Sequence, residues 1–268
     1  MAEPNTAGSR TPWQVTRSVW SAMFMRDLIA RTMAGRMAWF WMIVEPIAFI
    51  LIMVWIRTHI RGTDRMIVNA DFIPWMIVGF IAFQMIRDSM IRSIGAIDSS
   101  KALFAYRQVK PVDAVLVRFY VEGLLRSFIF MLFMIGGYML GVDLFPDHFW
   151  EALFLWFSAW MLGASLGVFL SVVGELVPEV GRVVRMLSLP LLILSGVIFP
   201  LHNLPHAVLQ YVMYNPIVHV LEYLRYFFFD GYRMVDGSSL LYLWGFSLCT
   251  LLVGLIMQIR FETRLKAK

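Results

Sequence analysis

A chain of 268 residues that is 60% hydrophobic and only 15% charged, with a mean hydropathy of +0.71, carries more apolar surface than one soluble core can bury. Its formal charge of +5 is spread between apolar runs and not gathered into a patch, which argues against a nucleic-acid partner. The single cysteine, Cys249, lies inside an apolar run and excludes an internal disulfide.

Residues 13–36 precede any long apolar run. Trp20, Met23, Phe24 and Leu28 share one face at helical spacing, while Arg17, Asp27 and Arg31 are expected elsewhere. This predicts an amphipathic helix on the cytoplasmic membrane surface, a pattern that equally suits a short helix packed on a partner. The first long apolar run begins near Met37, so the first span is expected to serve as its own insertion signal.

Six apolar runs follow, at about 37–56, 72–94, 114–140, 149–173, 183–200 and 240–259. Each is near the roughly 20 residues a helix needs to cross hydrocarbon. The expected fold is therefore an all-α polytopic membrane protein. It divides into a cytoplasmic N-terminal segment (1–36), a six-span transmembrane domain (37–259) and a cytoplasmic tail (260–268). Basic residues set the orientation. Arg10, Arg17, Arg26, Arg31 and Arg36 precede the first span; Lys101, Arg107 and Lys110 join the second to the third, with Arg87 and Arg92 close by. Arg260, Arg264, Lys266 and Lys268 follow the sixth. The alternate segments hold only Arg57, Arg61 and Arg65, then none, then Arg225 and Arg233, which puts both termini in the cytoplasm.

Charges inside apolar runs are functional candidates, because each is costly at the bilayer centre. Glu45, followed at once by Pro46, reads either as part of a translocation path or as a buried ion pair with Arg118 or Arg126. Arg118, Glu122 and Arg126 recur every four residues and predict an ion-pair ladder along one face of the third span. Gly163 and Gly167 predict close helix packing without naming the partner. The segment 201–239 is broken by Pro205 and Pro216 yet rich in apolar faces, which predicts short re-entrant external helices; Glu222 and Arg225 fall three apart on one of them.

No phosphate-binding G-x-x-x-x-G-K-[ST] loop occurs, nor H-E-x-x-H or C-x-x-C, so the chain is not expected to be an enzyme by itself. The five histidines all fall on the expected external side. His202 and His206 have ligand-like spacing, but Pro205 between them spoils a regular helix, and no metal is expected.

Four stretches carry a resemblance: Arg26-Asp27-Leu28 with Arg31-Thr32, Trp41 and Glu45-Pro46; Lys101 to Phe104 and Val109-Lys110-Pro111, with Asp113, Arg118 and Glu122; Ser195-Gly196 to Phe199; and Tyr214-Asn215-Pro216 with His219, Glu222, Arg225, Phe228 and Gly231-Tyr232. In this order and spacing the chain resembles the type-2 ABC exporter permeases that move polysaccharide, especially the capsule-export branch. O-antigen and teichoic-acid permeases share much of the pattern. The resemblance implies a homodimer in the bacterial inner membrane with two copies of a separate ATPase, which would hold the ATP and Mg. It implies a lipid-linked, usually acidic polysaccharide as cargo, membrane lipid around it, and periplasmic and outer-membrane export partners.

Residue by residue, the resemblance assigns ATPase coupling to Lys101, Leu103, Phe104, Tyr106, Arg107 and Lys110, with a second element carrying Glu175, Glu179 and Arg182. Leu103, Phe104 and Tyr106 are expected to be exposed for docking. Arg26, Arg31, Trp41, Glu45, Arg87 and Arg92 are candidates for the substrate entrance or path, and Tyr214, Glu222 and Arg225 for an external gate or ion pair. Two rivals come from other classes. An ion-coupled secondary transporter needs paired acids deep in the membrane, for which only Glu45 and Glu122 qualify. A membrane-embedded transferase would rest on the external histidines.

Overall fold

A computed structural model describes residues 11–33, 35–60, 66, 67, 69–106 and 108–267. Of the basic residues used above for orientation or coupling, Arg10, Arg61, Arg65, Arg107 and Lys268 lie outside the described residues.

Local chemistry marks where the helices begin. Helix α1 (Pro12–Thr32) opens with a reciprocal cap: Thr11 N donates to Gln14 Oε1 at 3.0 Å and Gln14 N donates to Thr11 Oγ1 at 3.4 Å. Helix α2 (Ala38–Ile60) runs unbroken through Pro46. A two-residue antiparallel ladder, β1 (Met66–Ile67) with β2 (Ala70–Asp71), leads into α3 (Phe72–Ile94). A 3-10 segment (Asp98–Ala105) precedes α4 (Pro111–Met139), whose first position is a proline and whose Asp113 Oδ2 accepts from Lys110 N at 2.9 Å.

Helix α5 (Phe149–Leu176) and α6 (Pro178–Leu194) meet at the single residue Val177, because Pro178 cannot continue the first but suits the start of the second. The fifth apolar run thus belongs to a helix that begins earlier than its hydropathy indicates. It also stops earlier, at a turn in which Gly196 takes φ +68°. Helices α7 (His206–Val212) and α8 (Pro216–Phe228) follow, the latter capped by Asn215 Oδ1 accepting from Ile217 N at 3.1 Å. Helices α9 (Leu240–Arg260) and α10 (Glu262–Ala267) complete the chain.

The fold is all-α apart from the short ladder. Among the described residues, four helices are long and apolar enough to cross a membrane by length and composition: Ala38–His59, Pro111–Met139, Phe149–Leu176 and Leu240–Arg260. Helix α3 has 23 residues but carries Arg87, Asp88 and Arg92 in its last turns, and α6 has 17.

Helix α3 is the centre of the core, with Trp75, Met76, Val78, Ile81, Phe83, Met85 and Ile86 excluded from solvent. Helix α5 packs closest to it. The partner that the sequence left unnamed for Gly163 and Gly167 is α3 of the same chain: a Cβ at Gly163 would lie 3.1 Å from Ile86 Cα, and one at Gly167 3.0 Å from Ser89 O. Helix α8 is buried along most of its length, from Ile217 to Leu224 and Phe228, between α3, α5 and α9. The face of α1 bearing Trp20, Met23 and Phe24 packs against Val109, Ala114 and Val117 at the start of α4. Asp27, expected off that face, is buried on it one turn after Met23.

Candidate functional site

Where α1, α2, α3 and α4 converge, buried charges form two neighbouring clusters. Glu122 on α4 holds Arg31 of α1 at 3.2 Å and Arg92 of α3 at 2.9 Å. Next to Arg31 along α1, Asp27 binds Arg118 of α4 at 3.3 Å and Arg26 at 2.9 Å, and Arg26 also donates to Ser100 Oγ at 3.0 Å. The second cluster begins at Glu45 on α2, which meets Arg87 of α3 at 3.5 Å. Arg87 binds Asp88 at 2.9 Å, and Asp88 is the partner of Arg126 on α4, which also donates to Gln84 Oε1 at 2.8 Å. Buried guanidinium and carboxylate groups must pair in this way or forfeit several kcal/mol of solvation, so the clusters fix how the helices dock. Burial pulls the Arg31 guanidinium below the usual arginine value, and the charge of Glu122 opposes that pull.

Two expectations are corrected here. Arg118, Glu122 and Arg126 do share a face of α4, but the ladder runs between helices: their partners are Asp27, Arg31 with Arg92, and Asp88. Glu45 pairs with Arg87, not with Arg118 or Arg126. Of the entrance candidates, Arg31, Glu45, Arg87 and Arg92 join these clusters and Arg26 joins through Asp27. Trp41 does not; it stands 62% exposed on α2, edge-on to Phe40 at 5.7 Å. The residue that sequence reasoning passed over is Gln84, whose only sequence signal is a polar side chain inside an apolar run; Asp88 was visible as a charge near the end of its run but not as the partner of Arg126. The Glu45 side chain remains 53% exposed, the most open carboxylate of the set.

The 3-10 segment and the end of α5 are joined by a second kind of contact. Lys101 in the 3-10 segment binds Glu175 at the end of α5 at 3.2 Å and also binds Asp98. The hydrogen bond to Asp98, supported by Glu175, holds the Lys101 ammonium above the usual lysine value against a smaller effect of burial. Leu103 and Phe104 are not exposed. Both turn inward, Leu103 onto Met23, Val109 and Ala114, and Phe104 there and onto the neighbouring Ala96, Ile97, Val115 and Val168 cluster. A short 3-10 turn with poor intrinsic stability needs such an apolar anchor, which accounts for the inward choice. Tyr106 is 68% exposed, Lys110 at the mouth of α4 is also exposed, and Glu179 pairs with Arg182 at 3.3 Å on the exposed first turn of α6.

Within α8, Glu222 and Arg225 form a fully enclosed pair at 3.6 Å. Arg225 stacks 3.6 Å from the centre of the Trp75 ring and donates to Gly196 O at 2.8 Å. Glu222 accepts from Tyr232 Oη at 3.2 Å and from Val235 N at 3.1 Å. Tyr214 is not part of this cluster: it is 73% exposed, and its carbonyl accepts from Tyr242 Oη at 2.8 Å. Nearby His219 has both ring nitrogens engaged, one with Met213 O at 2.8 Å and the other with Ser239 N at 3.0 Å.

The chain is thus a helical membrane protein whose helices are tied by cross-helix ion pairs and whose 3-10 segment is bridged to the end of α5. The family model of the ABC-2 type transporter matches residues 18–229. The polysialic acid transport protein KpsM of Escherichia coli is 32% identical over 259 residues, 97% of this chain and 98% of that protein. The capsule polysaccharide export inner-membrane protein BexB of Haemophilus influenzae is 29% identical over 244 residues, 90% of each. CtrC of Neisseria meningitidis, which carries the same description, is 27% identical over 248 residues, 92% of each. The chain belongs to the ABC-2 type transporter family.

Proposed function

We propose that this chain is the permease subunit of an ABC exporter that moves lipid-linked capsular polysaccharide across the bacterial inner membrane, driven by a separate ATPase. The observation that carries the reading is the end-to-end similarity to KpsM, BexB and CtrC, which are named for polysaccharide transport or capsule export. Two copies of the permease enclose the path, and two ATPase subunits bind ATP and Mg. Both termini are cytoplasmic, and α3 and α6 complete six spans with the four apolar helices. Helix α1 lies at the cytoplasmic surface and α8 re-enters from outside; the burial of α8 between α3, α5 and α9 supports this. The half-open Glu45 with Arg87 supports a hydrated path beside α2, where hydroxylated or acidic sugars would meet both charges. An ion-coupled carrier is less well supported, because Glu45 and Glu122 are each matched by arginine.

The Lys101–Glu175 bridge, 3.2 Å long, supports a single coupling unit made of the 3-10 segment and the α5–α6 corner, with Tyr106 as its exposed contact. Tyr106→Asp is therefore expected to leave the chain folded and to cut export by roughly tenfold or more, as loss of an aromatic anchor does at an interface. Leu103→Asp is expected to lower the thermal midpoint instead, because it buries a charge in the contact of α1 with α4. Measuring both quantities for both variants checks this; normal export by folded Tyr106→Asp would remove the coupling assignment. The exporter reading itself is tested by purifying the detergent-solubilised chain from its native host. An ATPase retained at one copy per permease is expected, and a folded chain that is reproducibly alone would overturn the reading.

A further inference from the structure

A groove of about 500 Å³ runs between α1 and the first third of α4. Trp13, Trp20 and Phe24 line it from α1, and Val117 and Tyr120 from α4. Its walls are braced. The Trp20 indole donates to Asp113 Oδ1 at 3.0 Å, and its ring lies 6.3 Å from that of Tyr120. Arg17 stands in the same groove and makes no ion pair or hydrogen bond among the described residues. Its neighbours on α1 are already engaged, Arg26 with Asp27 and Ser100, and Arg31 with Glu122.

Helix α4 has 29 residues, more than the roughly 20 that hydrocarbon requires, so its first turns fall at headgroup depth. An apolar, aromatic slot with one uncommitted guanidinium complements an amphiphile with an anionic head; a zwitterionic lipid would bring a second cation toward Arg17. We infer that this groove binds an anionic phospholipid of the cytoplasmic leaflet, its phosphate on Arg17 and an acyl chain along Trp20, Phe24 and Tyr120. The site rests on the interfacial placement of α1 and not on the identity of the cargo. Occupancy would wedge α1 against α4 at the level of the Asp27–Arg118 pair.

The test is native mass spectrometry of the full chain, with dioleoyl phosphatidylglycerol and dioleoyl phosphatidylcholine added at equal concentration. The first lipid retained is expected to be phosphatidylglycerol by about fivefold, the scale of one basic residue near an anionic surface. Arg17→Gln should abolish the preference and Arg17→Lys should keep it. Ser21→Trp, which fills the groove from an exposed position, should reduce retention of the first lipid of either kind. Thermal midpoints establish that each variant is folded. Equal retention by the wild-type chain, an unchanged preference in Arg17→Gln, or full retention in Ser21→Trp would overturn the site. Any of these results in a chain that still brings down its ATPase would overturn the lipid site alone.

Discussion

Arg225→Ala is expected to prevent the chain from accumulating in a folded state. The guanidinium is fully enclosed, paired with Glu222 at 3.6 Å, stacked on Trp75 at 3.6 Å and bonded to Gly196 O at 2.8 Å. Removing it leaves a buried carboxylate and an unfilled space over the Trp75 ring. The loss of one partner from a buried pair costs about 3–5 kcal/mol, comparable with the whole net stability of many domains. Arg225→Lys is not a conservative rescue, because an ammonium cannot both stack flat on Trp75 and reach the carbonyl. The space is also tight, since a Cβ at Gly79 would run into this guanidinium. Thermal midpoints in detergent check the prediction. Glu222→Gln with Arg225→Leu should recover part of the loss, because no orphan charge remains. A wild-type midpoint in Arg225→Ala would show that the cluster is dispensable.

Glu122→Gln should release α1 without dissolving the core. One carboxylate holds both Arg31 at 3.2 Å and Arg92 at 2.9 Å, so its neutralisation leaves two arginines facing each other across α1 and α3. The loss, again about 3–5 kcal/mol, falls on α1, whose other ties are the Asp27–Arg118 pair, the Trp20–Asp113 and Arg26–Ser100 hydrogen bonds and a small apolar patch. Amide exchange in residues 20–32 should therefore quicken by more than about a hundredfold, while α3 and α5 stay protected. Equal exchange in wild type and variant would contradict the role given to Glu122. Export should fall in parallel, since α1 packs on the same Leu103 and Phe104 that anchor the 3-10 segment proposed for coupling.

These two clusters also mark how far the sequence can be read. Pro111, Pro178 and Pro216 each open a helix, and Asn215 and Ser239 act as caps, but hydropathy alone set the expected starts, so α4 and α6 begin earlier than expected. The three-residue spacing of Glu222 and Arg225 anticipated a pair that the geometry contains. Partner choice was harder. A four-residue repeat such as Arg118, Glu122 and Arg126 looks the same whether its members pair along one helix or across to others, and only tertiary packing decides. The inward turn of Leu103 and Phe104 was hidden because eight residues of 3-10 structure offer too few turns for periodicity to reveal a buried face. Arg87, Asp88 and Arg92 obscured the central place of α3, since charges at its last turns suggest a periphery although they face partners inside the fold.

Cargo and direction of transport are read out by deleting the coding sequence in the native host and fractionating its polysaccharide. Loss of the surface layer with intracellular build-up of complete, lipid-linked glycan is predicted, reversed by the wild-type chain and not by Tyr106→Asp. A surface layer unchanged in amount and composition after deletion would contradict the account.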